Sequence, residues 1–190
     1  MQSYQALPAD LTVPEDDGAC LHLTGIHLPD VALSSTHDSL TSQSLTNLNQ
    51  TQGWVVVYCY PMTGTPGVAL PDGWDSIPGA RGCTPQSCAF RDHYREMQAL
   101  GAQVYGLSTQ TADEQAEAAK RLHLPFALLS DTQLTFANAL KLPTFEVDGK
   151  RLIKRLTLIA LDGKISHFMY PIFPPDQNAT QVINWLKTHV

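Results

Sequence analysis

The most continuous apolar stretch of the chain, Trp54-Val-Val-Val-Tyr-Cys-Tyr60, is built from β-branched and aromatic residues. That pattern predicts a strand buried on both faces and central in a sheet. Pro61 to Gly82 follows with four prolines, five glycines and no periodicity, which predicts a loop, and structureless loops of that length are usually functional. Thr84-Pro85 has the order of an N-cap and a first-turn proline, and Phe90, Tyr94 and Met97 recur at spacings of four and three. A helix of about four turns ending at Gly101 is predicted. Gln103 to Leu107 reads as a strand, and the capping box Thr111-Ala-Asp-Glu114 opens a helix to about Leu122. A short strand over Pro125 to Leu129 and a short helix over Asp131 to Leu140 come next. Leu156 to Leu161 and Ile165 to Tyr170 form a hairpin turned by Asp162-Gly163, and Asn178 to Lys187 closes the chain as a helix. Ser34 to Gln52, rich in Ser, Thr, Asn and Gln, reads as surface connection.

Strand and helix alternate first, and an antiparallel hairpin and a terminal helix follow. This order predicts an α/β chain with a central mixed β-sheet flanked by helices on both faces, a thioredoxin-like fold. At 190 residues, one domain over 1–190 is expected. Within it, 1–28 is expected to be an N-terminal extension with short strands and 61–82 a long active-site loop. Twelve Lys and Arg against eighteen Asp and Glu give a net charge of −6, so nothing draws the chain to phosphate backbones or anionic lipid. No nucleic-acid or membrane partner is expected. Met1 to Asp17 has no basic residue and no sustained apolar core, unlike a secretory signal, and a cytoplasmic location is the expectation. Asn49-Gln50-Thr51 and Asn178-Ala179-Thr180 match a glycosylation acceptor by chance in that setting.

Four cysteines, Cys20, Cys59, Cys83 and Cys88, are too few for a disulfide scaffold, and in a reducing compartment a close pair suggests chemistry. Only Cys83 and Cys88 are close. Cys83 lies at the N-terminal edge of the helix begun by Thr84-Pro85, where free N–H groups and the macrodipole favour a thiolate. Five helical residues separate Cα atoms by about 8.6 Å, beyond the roughly 7 Å that a disulfide tolerates. The helix start must therefore unwind for the two sulfurs to bond, as suits a transient disulfide. Cys20, in an N-terminal strand, and Cys59, in the buried strand, read as core or surface thiols. Arg91 and Asp92 read as a pair near the helix surface, His93 as solvent-facing, and Tyr170, Pro171 and Phe173 as packing residues.

Gly82-Cys83-Thr84-Pro85-Gln86-Ser87-Cys88-Ala89-Phe90-Arg91-Asp92 resembles the signature of peroxiredoxins of the bacterioferritin-comigratory or Q type, an atypical two-cysteine family. Tyr60-Pro61-Met-Thr-Gly-Thr65 resembles the family's Pro-x-x-x-Thr segment. Gly106-Leu-Ser108, Leu129-Ser130-Asp131, and Arg155-Leu156-Thr157-Leu158 with its Asp162-Gly163-Lys164 turn resemble later segments, from about Pro29 onward. The resemblance implies a thiol peroxidase acting on hydrogen peroxide and organic hydroperoxides. Cys83 would be peroxidatic, Cys88 resolving, Arg155 the guanidinium that steadies thiolate and peroxide, and Thr65 a hydroxyl donor. It also implies reduction by thioredoxin or a similar dithiol, no metal or organic cofactor, and a monomer or weak homodimer.

One departure stands out. In the family Pro-x-x-x-Thr leads directly into x-x-Cys, whereas Val68 to Gly82, fifteen residues, separate Thr65-Pro66-Gly67 from Cys83. Ala80 stands three before Cys83. Either the insert bulges out and Thr65 still reaches the peroxide, or Thr84 or Arg81 takes its part. A rival register, in which Thr84-Pro85-Gln86-Ser87-Cys88 supplies the peroxidatic motif, would make Cys88 the attacker. Arg155 could also be a solvated member of the Lys150-Arg151 to Lys154-Arg155 cluster. Two other functions compete: a redox sensor on the same fold, and a copper-binding assembly factor using both cysteines with His123 or His167.

Overall fold

The computed structural model describes Leu7 and residues 11–36 and 44–190. Its elements in chain order are β1 (Ala32–Ser35), β2 (Ser44–Asn47), β3 (Trp54–Cys59), α1 (Cys83–Asp92), α2 (Tyr94–Ala99), β4 (Ala102–Ser108), α3 (Ala112–Leu122), β5 (Leu128–Ser130), α4 (Thr135–Ala139), β6 (Thr144–Val147), β7 (Lys150–Ile153), β8 (Leu156–Leu161), β9 (Lys164–Met169) and α5 (Asn178–Leu186). Seven strands form one mixed sheet in the order β2-β1-β5-β4-β3-β8-β9. In it β3 runs parallel to β4 and antiparallel to β8.

The unbroken apolar run of β3 is explained by its two buried faces. Val55, Val57 and Cys59 face a core shared with Phe136, Ala137 and Leu140 and with Cys20, Leu23 and Leu28 of the N-terminal segment. Val56 and Tyr58 face the other core, with Phe90, Met97, Ala118, Val182 and Ile183. Alternate residues of a strand point to opposite faces, so a single strand organises both layers. The helices α1, α2, α3 and α5 cover one face, and α4 with the N-terminal segment covers the other. This is the expected thioredoxin-like α/β fold.

Several local expectations are corrected. Ser34 to Gln52 is not mere connection: Ala32–Ser35 and Ser44–Asn47 pair antiparallel, and β1 adds to the sheet through β5. Leu45 is 65% exposed, so this edge hairpin lacks the apolar alternation by which strands are read. Residues 11–28 hold turns and one isolated bridge, His27 to Lys164, in place of short strands, and Cys20 sits in a turn. The helix read from Thr84 to Gly101 is two helices, broken at His93 (φ −99°, ψ 4°). The β6–β7 hairpin lay unread, although Asp148 and Gly149, both at positive φ, have the residue types that a tight hairpin turn demands.

Burial pushes the Cys20 thiol up to about 12 and raises Cys59 strongly, from a usual thiol value of about 8.5. Between those values the folded chain holds protons that the unfolded chain has released, so stability is full below about pH 8 and declines as pH rises. Thermal melts should show Tm flat from pH 6 to 8 and falling from pH 9 upward. Replacing Cys20 and Cys59 together by Ala should make the fall between pH 8.5 and 10 shallower.

Candidate active site

The helix that carries the cysteine pair begins two residues earlier than its sequence suggests. Gly82, at φ +106°, caps α1 without a side-chain hydrogen bond, and Cys83 is its first residue. A Cβ on Gly82 would run into Pro175 Cγ and come within 2.9 Å of Leu7 Cδ2, so this position demands glycine for both conformation and space. Thr84 is thus a first-turn residue and not the cap. Cys83 is 3% exposed, with its sulfur at the helix end where unpaired N–H groups gather.

Arg155 leads into β8 and is also 3% exposed. Its Nη2 lies 3.2 Å from Cys83 Sγ, close enough to donate to it. The remaining donors are held as well. Nε donates to Gly79 O at 3.3 Å, Nη2 also faces Ala80 O and Arg81 O at 3.1 Å each, and Nη1 donates to Gln86 Oε1. Gln86 Nε2 in turn donates to Asn178 Oδ1 at 2.9 Å, and the Thr157 hydroxyl donates to the same oxygen at 2.7 Å. A buried chain from β8 through α5 and α1 therefore orients the guanidinium. The solvated reading of Arg155 does not hold.

Over the sulfur is a narrow cleft lined by Met62, Gly64, Leu70, Trp74, Arg81 and Thr84. Thr65 is exposed and has no part in that lining, so the structure does not bring it to the sulfur. Thr84, buried at 3% exposure, does line the cleft. The insert is folded, with Trp74, Ala80 and Leu152 forming a small third core against Phe145 of the β6–β7 hairpin. A separate cavity of about 440 Å³ lies behind Arg155, between Val13, Pro14, Ile77, Phe145 and Tyr170.

Cys88 lies five residues further along α1, half-buried, and burial raises its thiol despite the nearby Arg91. The Arg91 guanidinium hydrogen-bonds to it and pulls the thiol down, but burial outweighs that pull. Arg91 pairs with Asp92 at 2.8 Å and donates to Leu122 O, as the surface reading expects. His93 is 41% exposed beside Glu96. Cys20 and Cys59 are core thiols far in role from the site. Tyr170 packs at the rim of the large cavity. Among the described residues no three His, Cys, Asp or Glu side chains gather as metal ligands, so Cys83 and Cys88 have no histidine set beside them.

The residues that sequence reasoning missed are Gln86 and Asn178. Gln86 had a readable signal, since three residues after Cys83 on a helix puts it on the same face. Asn178 had none, its glycosylation pattern being a chance match. No helix among the described residues is long and apolar enough to cross a membrane.

Residues 23–183 match the Redoxin family. Peroxiredoxin Bcp of Escherichia coli strain K12 is 33% identical over 153 residues, 75% of this chain and 85% of that protein. The chloroplastic peroxiredoxin Q of Sedum lineare is 42% identical over 77 residues, 40% of this chain and 33% of its own. Among solved structures, peroxidoxin BcpB of Mycobacterium tuberculosis superposes with a TM-score of 0.68 at 27% identity, over 87% of this chain and 96% of that one. A peroxiredoxin Q of Xanthomonas campestris shares the fold at a TM-score of 0.65 and 22% identity, covering 95% and 98%. The chain belongs to the redoxin family as a peroxiredoxin of the Bcp and Q type, a thiol peroxidase.

Proposed function

We propose that Cys83 is the sulfur that attacks the hydroperoxide and Cys88 the one that resolves the product, with a dithiol protein of the thioredoxin kind as reductant. The observation that carries the assignment is the 3.2 Å approach of Arg155 Nη2 to Cys83 Sγ. That contact sets a buried guanidinium against a sulfur at a helix N-terminus, in reach of both the sulfur and the oxygen it would attack.

The thiolate attacks the outer oxygen of R–O–O–H, hydrogen peroxide or an organic hydroperoxide, in line with the O–O bond. The S–O bond forms as O–O breaks, and the departing oxygen takes the electron pair and a proton to leave as water or alcohol. Charge grows on that oxygen. Arg155, the Thr84 hydroxyl and the first-turn N–H groups are the donors placed to stabilise it, Pro85 contributing none. Cys83 is then a sulfenic acid. Cys88 displaces its oxygen as water to give a disulfide, and two thiols of the reductant restore both cysteines by exchange. Thr65, exposed, has no part in this account. All of these groups lie within one chain, so a monomer or weak homodimer suffices.

Because Cys83 and Cys88 lie on one continuous helix, about 8.6 Å apart by helical geometry, the first turns of α1 must open before the disulfide can close. Burial that raises the Cys88 thiol keeps it protonated and quiet until then.

Cys83→Ser should abolish peroxide consumption, whereas Cys88→Ser should consume one equivalent and stop. Peptide mapping of the peroxide-treated wild type should find a Cys83–Cys88 bond. The reverse pattern of variants would transfer the attack to Cys88. Gln86→Leu leaves Arg155 Nη1 without its acceptor in a buried site, a loss worth about 1–3 kcal/mol. Chemical denaturation should register that loss. Stopped-flow oxidation should slow by about 10-fold or more as the guanidinium loses its aim, while removal of the donor itself in Arg155→Met should cost roughly 10²–10³.

A further inference from the structure

We propose that the insert between Gly67 and Cys83 is a size filter that makes hydrogen peroxide, and not bulky organic hydroperoxides, the preferred substrate. This rests on Cys83 being the attacking sulfur. The cleft above Cys83 leaves only about 10 Å³ for the centres of water-sized molecules, about the room one water needs. Hydrogen peroxide can seat one oxygen there and leave the other at the mouth. In an organic hydroperoxide that second oxygen carries carbon, which must find room within a lining that includes Leu70, Trp74, Arg81 and Thr84.

The roof is built, not draped. Trp74 is 4% exposed and packs with Ala80 and Leu152, its ring 6.1 Å from that of Phe145. Arg81 donates to Asp75 at 3.0 Å, which ties the two ends of the insert's turn together. Gly64, also in the lining, has its carbonyl held by Arg121 at 3.0 Å, and its neighbour Thr63 donates its N–H to Gln110 Oε1 at 2.8 Å. Widening the cleft means breaking these contacts. The roomy cavity behind Arg155 gives no second approach, because Cys83 is absent from its lining. Thus Leu70 and Trp74, both supplied by the insert, set substrate size, while the groups that act on the O–O bond lie beneath them. Steric discrimination of this kind reaches about 10–200-fold for small differences in a tight pocket.

The test follows first-turnover sulfenate formation on Cys83 in a Cys88→Ser background, with hydrogen peroxide and with cumene hydroperoxide, by rapid quench and mass spectrometry. Hydrogen peroxide should react at least tenfold faster. Leu70→Ala and Trp74→Leu should each raise the cumene-to-hydrogen-peroxide rate ratio at least fivefold. Leu70 is partly exposed, so its truncation keeps the test valid if the Trp74 variant loses the insert's fold. Rates that differ by less than tenfold, or a ratio that rises less than fivefold in Leu70→Ala, overturn the filter. A sulfenate that forms on Cys83 under those results leaves the peroxidatic assignment standing. No adduct on Cys83 with either peroxide overturns both.

Discussion

The site depends on one buried guanidinium. Arg155 is 3% exposed, and a cation taken out of water is costly unless its donors are satisfied and its charge is met. Its donors are met by three backbone carbonyls, an amide oxygen and a sulfur. None of these partners is a carboxylate. Cys83 Sγ is the one nucleophilic atom among them, so the contact that completes the Arg155 shell is also the one that aims the guanidinium at the sulfur.

That constraint also gives the insert a reason to be folded. Gly79, Ala80 and Arg81 supply the three carbonyls, and all three belong to the insert. A loose loop would leave the guanidinium without acceptors. Trp74 and Ala80, buried against Leu152, hold that backbone in place from within. Pro14 packs against the same stretch from outside, since a Cβ on Gly79 would sit 3.6 Å from it, and Asp17 clamps the N-terminal segment to Lys154 at 2.9 Å. A segment inserted just before a nucleophile could have disordered the site. Here it supplies three of the five partners of the key cation.

The sequence reveals most where pattern and burial coincide. Trp54 to Cys59 is legible because both of its faces are buried, and α3 because its capping box is complete in the structure, with Thr111 and Glu114 each satisfying the other's backbone. The Cys83, Cys88 and Arg155 group is legible through local motifs. What escapes depends on long-range contact. β1 and β2 are strands because β5 offers an edge, not because of their own residues. Gln86 and Asn178 matter only because α5 crosses over α1. Thr65 had the right motif, but fifteen inserted residues carry it away from the sulfur while the chain around Thr84 stays put, since Thr84 is bound to Cys83 by one peptide bond.

On the proposed reading the contacts that prepare the attack are also the ones that oppose resolution. Gln86 ties the first turn of α1 to Arg155 and Asn178, and the Ser87 hydroxyl accepts from Tyr58 Oη at 3.2 Å on the next. Each such bond nets about 0.5–1.5 kcal/mol, so the opening that Cys88 needs is a minor state while Cys83 is reduced. Resolution therefore follows the rate at which the first turns of α1 open, and the bonds that aim Arg155 at the sulfur are among those that this opening has to break.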